Sequence, residues 1–146
     1  MRVPTLAEWH SEPLCLDGEH ALKTFFDKDH AEAYELFCEN AMHYEEDLVF
    51  MPLRCFRYYV HSYMDYLLSN ESEEDSDGAS AFFVLVKLRA LDLTADAEDV
   101  ALAQAIAKTL KHLAENQRWY DANVDIYGSF PERAKECLSL IGIHLA

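Results

Sequence analysis

The chain has 146 residues, 51% of them hydrophobic, and its 27 acids against 12 bases give a formal charge of −15. That length suits one domain with a sizeable core, and so apolar a composition excludes a disordered acidic tail. The charge argues against a nucleic-acid backbone or an anionic membrane as partner, because both are bound by basic surfaces; a basic protein, a cation, or solubility alone remain.

Residues 1–10 hold one Arg and no apolar run, so no secretory leader is expected there. No stretch approaches the roughly 18–20 apolar residues of a membrane span. Cys15, Cys38, Cys55 and Cys137 form no C-x-x-C pair. Such cysteines are expected to be small buried hydrophobes in a cytoplasmic protein.

Four glycines and four prolines give few turn signals, and helical periodicity dominates. Thr5 and Glu8 form a capping box, and Pro13 keeps that first helix short. Asp17 is placed to cap a second short helix through about Phe26. A longer helix is predicted from about Asp29 to Asp47. On it Tyr34, Phe37, Ala41, Tyr44 and Leu48 form an apolar stripe, and Glu32, Glu35, Glu39, His43 and Glu46 fall on the opposite side.

Pro52 starts the next helix, where its missing N–H costs nothing. Leu53, Phe56, Val60, Tyr63, Met64 and Leu67 make its core face, and Arg54, Arg57, Tyr58, His61 and Asp65 its polar face. Residues 69–80 carry Glu71, Glu73, Glu74, Asp75 and Asp77 with Gly78, and read as an acidic loop. Residues 81–91 are apolar on nearly all sides. Periodicity fits a buried helix or a buried strand, and the helical neighbours favour a helix.

Asp96 is placed to cap a long helix reaching about Gln117. Asp96, Glu98 and Asp99 near its start and Lys108, Lys111 and His112 near its end suit the helix dipole. Leu102, Ile106, Leu110 and Leu113 supply its core stripe. A last helix follows Ser129, with Glu132 completing a second capping box and Gly142 ending it. The expected architecture is all-α, a single-domain helical bundle of about five to seven helices over residues 1–146.

No phosphate loop, nucleophile elbow or zinc-protease motif is present. Glu-x-x-His pairs, as di-iron bundles need, are missing too; Glu39 and His43 are four apart, and His112 precedes Glu115. His61 and Asp65 lie one turn apart, which fits a surface contact better than a hydrolase built with the nearby tyrosines. Asp121, Asn123, Asp125 and Glu132 have the spacing of a calcium loop, yet Ile126 stands where the sharp turn needs Gly. The plainer expectation is one helix ending there and Ser129 capping the next. Neither a cofactor nor a catalytic residue is expected.

The acids are unevenly spread. Residues 1–50 carry 12 acids and 3 bases, residues 51–100 carry 10 and 4, and residues 101–146 carry 5 of each. This fits a solvated coat, or a surface that captures a basic partner through Glu32, Glu35, Glu39 and Glu46 and the acids of 71–77.

The segments Trp9-His10 with Leu16-Asp17-Gly18-Glu19-His20, Asn116-Gln117-Arg118-Trp119-Tyr120-Asp121 and Asp125-Ile126-Tyr127-Gly128-Ser129-Phe130 resemble small acidic helical bacterial proteins. Those belong to toxin–immunity loci, including contact-dependent inhibition and polymorphic toxin systems. The resemblance spans nearly the whole chain and brings no shared catalytic residues. It implies a protein that binds and neutralises one toxin, for instance a nuclease whose basic cleft an acidic inhibitor fills. The alternatives are a calcium- or metal-binding helical protein using Asp121, Asn123, Asp125 and Glu132, and a small structural or interaction protein.

Overall fold

Several helices start on side-chain caps, at Thr5, Asp29, Asp75, Asn123 and Ser129. The computed structural model describes residues 1–94 and 100–143, and among the described residues all regular structure is helical, with no strand. Helix α1 (Leu6–Trp9) follows Thr5, whose capping box with Glu8 is complete. Helix α2 spans Leu16–Phe25. Helix α3 (His30–Val49) begins on a second box, in which Asp29 and Glu32 each accept the other's backbone N–H, at 2.9 and 3.2 Å. Helix α4 (Leu53–Leu68) is followed by a 3-10 turn at Asn70–Ser72. Then come α5 (Ser76–Leu88), α6 (Ala90–Thr94), α7 (Val100–Glu115), α8 (Val124–Tyr127) and α9 (Phe130–Leu140).

The all-α expectation holds, with more helices than the five to seven expected. Six helices are ten residues or longer, and α1, α6 and α8 are single turns of four or five. A single turn is too short to show a hydrophobic period, so only its cap can reveal it.

Residues 81–91 are helical over α5 and into α6, with Ala81, Phe82, Phe83, Leu85 and Val86 buried. The acidic run 69–80 is not a loop throughout. Asp75 caps α5 by accepting the Gly78 N–H at 3.0 Å, so residues 76–80 are already helix. Asp17 lies inside α2 rather than capping it, since Cys15 occupies the cap position. Pro52 likewise sits one residue before α4, and its carbonyl accepts the Phe56 N–H. Cys55 and Cys137 are buried as expected, whereas Cys15 is exposed and Cys38 half-buried. The expected cap Asp96, with Glu98 and Asp99, lies outside the described residues.

The described residues group into two compact units, 1–66 and 67–146. The first is built on aromatic rings. Phe25 lies 5.0 Å from Tyr59 and 6.0 Å from Phe37, which stacks on Tyr63 at 4.9 Å. Trp9, Phe25, Phe37, Tyr59 and Tyr63 are fully buried. Each such ring removes about 150–250 Å² from water, so burying the cluster is a large stabilising contribution to the unit. The Tyr59 hydroxyl reaches the Phe25 and Lys28 carbonyls, both at 2.8 Å, and so closes the end of α2.

Gly18 sets how closely α2 approaches the end of α3. A Cβ there would lie 3.1 Å from a Leu14 methyl carbon and 3.2 Å from the Phe50 carbonyl oxygen. Any larger residue would press on both and force one to give by a few tenths of an ångström, so glycine favours the approach that brings Asp17 and His20 of α2 beside the last turn of α3.

In the second unit α9 packs on α7 and α5. The expected stripe of Leu102, Ile106, Leu110 and Leu113 is buried. Phe83 and Phe130 meet edge to face at 5.0 Å, and the Arg133 guanidinium covers the Phe83 ring at 4.7 Å. Ser129 caps α9, and Gly142 takes the left-handed conformation just past its end.

Candidate functional site

Helix α3 presents the acidic face that its sequence pattern predicts. Glu32, Glu35, Glu39, His43 and Glu46 are all exposed, while Ala33, Phe37, Ala41 and Leu48 are buried. Among the described residues, none of the four glutamates is held in a salt bridge, so their charge is turned to solvent. The helix is bent at Asn40, whose backbone is extended rather than helical, and its side chain accepts the His43 N–H at 3.2 Å. Asn40 therefore acts as an internal cap for the second half of α3.

That second half carries two acids the sequence pattern did not single out. Glu45 and Asp47 are each only 5% exposed. Glu45 falls four residues after Ala41 and three before Leu48, so it sits on the buried stripe, and that spacing was the available signal. One of its oxygens, Oε1, has no hydrogen-bond partner, and burial pushes its pKa up to about 7. Asp47 lies off the stripe and is buried because α2 crosses there. His20 Nδ1–H donates to Asp47 Oδ1 at 2.8 Å. Asp47 Oδ2 is buried without a partner. Burial raises the Asp47 pKa, and the His20 contact works against that rise.

These groups meet in a cleft of about 230 Å³ lined by Asp17, His20, His43, Glu46, Asp47 and Phe50. The His20 and His43 rings stand edge to face, 6.5 Å apart. Three acids and two imidazoles thus share a small concavity at the end of the acidic face.

The predicted acids of the second unit have a different character. Glu71, Glu73 and Glu74 are exposed. Asp75 is committed to capping α5, and Asp77 accepts the Tyr127 hydroxyl at 2.7 Å. Tyr127 also receives the Ser76 hydroxyl at 3.0 Å. The Glu74 N–H donates to the Trp119 carbonyl, which holds the segment against the turn at 119–121. The segment is therefore folded in the free protein, and the expectation of a free acidic loop is corrected for Asp75 and Asp77.

Asp121, Asn123, Asp125 and Glu132, the residues of the alternative calcium-loop reading, are not gathered as a site, and Ser129 caps the next helix as the plainer expectation has it. All four are exposed, and among the described residues no group of three or more His, Cys, Asp or Glu is arranged to hold a metal. Helix α8 interrupts the loop, and Asn123 spends its side-chain oxygen on the Asp125 N–H to cap it. Gln117 is the organiser the sequence did not reveal. Its amide donates to the Ala122 and Gly128 carbonyls at 2.9 and 2.8 Å, and its oxygen accepts the Phe130 N–H at 2.9 Å. Arg133 adds bonds to the Tyr127 carbonyl and to Ser80.

Tyr58, Tyr59, Tyr63 and Tyr66 of α4 are buried, and the expected polar position of Tyr58 is corrected accordingly. Its ring stacks on His30 at 3.9 Å. His61 is half-buried, and burial lowers its pKa, with His30 adding to the effect. In the second unit, a groove of about 640 Å³ along α7 includes Leu68, Lys108, Lys111, His112 and Ile143, and none of the predicted site residues. No described helix is long and apolar enough to cross a membrane. No family model, curated protein or solved structure matches the chain.

Proposed function

We propose that this chain is a non-catalytic binding protein, an immunity-type inhibitor that neutralises a basic toxin by stoichiometric capture. The observation that carries the reading is the exposed face of α3, where Glu32, Glu35, Glu39 and Glu46 stand free of salt bridges among the described residues. Charge left unpaired on one face accelerates encounter with an oppositely charged surface and selects against acidic partners. The uneven spread of acids, with 12 in residues 1–50 and 5 in residues 101–146, supports the same reading. A toxin acting on nucleic acid has the basic cleft that such a face complements.

Affinity capture from the native host, at low and at high salt, tests the reading. A basic protein should be retained at low salt and released as screening shortens the reach of the charges. Co-expression should suppress that protein's toxicity, and its gene should neighbour this one. If no basic partner is captured, or if capture is indifferent to salt, the reading fails.

A further inference from the structure

We propose that the cleft between α2 and the end of α3, lined by Asp17, His20, His43, Glu46, Asp47 and Phe50, is an anchor site for a single arginine side chain of the protein partner. The proposal rests on the reading of the α3 face as a docking surface and names what that surface grips.

The cleft's size selects the ligand class. At about 230 Å³ it falls below the roughly 300–1,000 Å³ of small-molecule sites, and it suits one side chain. Its charge selects the sign. Asp17 and Glu46 stand at an exposed rim, and Asp47 lies beneath with 5% exposure. Asp47 adds a buried acceptor to the same wall. His20 satisfies Oδ1 at 2.8 Å, but the buried Oδ2 has no partner. A half-satisfied carboxylate in a low-dielectric wall attracts a cation more strongly than a solvated one, because its charge is less screened.

Arginine fits better than lysine. A guanidinium is more weakly hydrated than an ammonium and loses less on entering a partly closed cleft. Its planar fork matches the carboxylates of the rim, and its flat face can lie against an aromatic ring. Phe50, 42% exposed at the cleft, and the His43 imidazole supply such rings. The acidic stripe of α3 leads to this point, so steering along the stripe would end at the anchor.

The probe is N-acetyl-arginine N-methylamide, titrated into the full chain while the ring signals of His20 and His43 are followed by NMR. Its uncharged citrulline analogue is the control. Saturable shifts of both rings with the arginine compound, and none with citrulline, are expected. Glu46→Gln and Asp17→Asn, both at exposed positions, should each weaken binding about tenfold, the loss of one charge-assisted hydrogen bond. Asp65→Asn, exposed on α4 outside the cleft, should bind as the parent does. Asp47→Asn should abolish the shifts; the rim variants decide the matter if that chain does not fold. Equal shifts with citrulline, a linear response, or undiminished binding by both rim variants would overturn the proposal. If a basic partner is captured with full affinity by both rim variants, the cleft falls while the inhibitor reading stands. If arginine binds as described and no basic partner exists, the inhibitor reading falls and the cleft stands.

Discussion

Glu45 is a carboxyl placed where the helix needs a hydrophobe. Its ordinary pKa of 4.5 rises to about 7 because burial penalises the charged form. Between those values the folded chain holds the proton that the unfolded chain releases. Stability from this group is therefore full below pH 4.5 and is lost as pH rises through 7. The change is about 3 kcal/mol by linkage. Glu45→Gln, which cannot ionise, should match the parent near pH 4 and exceed it at pH 8 by about that amount in urea unfolding. Parallel stability curves for the two chains would refute the assignment. Glu8 works in the opposite sense. Its bonds to Arg2 and Thr5 hold its pKa near 2, so its contribution is present above 4.5 and fades as the pH falls toward 2. Tyr59 tests packing without charge. Tyr59→Phe strips a hydrogen bond from the Phe25 and Lys28 carbonyls and should cost about 1–3 kcal/mol in the same assay, with partner capture unchanged.

Elements were legible in the sequence where their signals are local. Thr5 and Ser129 each cap the helix the sequence assigns to them, and α3 begins where its pattern places it, at Asp29, since capping involves only the next three residues. The stripe of α3 was legible for the same reason, and so was its acidic face. What was not legible depends on a partner distant in the chain. Asp47 is buried because His20 crosses it, and no spacing within α3 reveals that. The 121–132 segment has the spacing of a metal loop but lacks its glycine at Ile126, and what organises it instead, the Gln117 amide, carries no signal in the sequence. Asp75 was the opposite case. Its cap on Gly78 is local, but the surrounding acids and the glycine masked it as loop. The α2–α3 crossing gives a test at this scale. Gly18→Ala should gain about 1 kcal/mol in helix propensity yet lose more to the clash, because the Phe50 carbonyl is backbone and cannot turn aside. A net loss of about 1–2 kcal/mol in urea unfolding is expected, together with altered His20 and His43 ring signals, since the end of α3 must move. A stabilised variant with unchanged ring signals would show that the close approach is not rigid.

At the scale of the whole chain, a charge of −15 acts on every encounter, and the issue is whether its arrangement matters beyond its sum. The two acidic segments allow a comparison at constant charge. Changing Glu32, Glu35 and Glu39 to Gln, or Glu71, Glu73 and Glu74 to Gln, lowers the net charge to −12 in either case, since −15 + 3 = −12. All six residues are exposed, so neither triple change disturbs a buried group. A glutamine at position 32 keeps an oxygen for the Asp29 N–H, so the cap of α3 survives the first set. A uniform coat would make the two triples equivalent toward any basic protein, because distant charges are then felt only as a total. A directed surface breaks that equivalence. Within a Debye length of about 8 Å at physiological salt, the partner responds to the charges it faces. If α3 is the docking face, the first triple should slow association with the captured partner about tenfold at low salt and flatten its salt dependence, while the second leaves both nearly unchanged. Dissociation should change less than association, since steering charges act before contact is made. Equal slowing by both triples would reduce the acidity to solubility and non-specific attraction. Slowing by the second alone would move the docking surface to the start of α5.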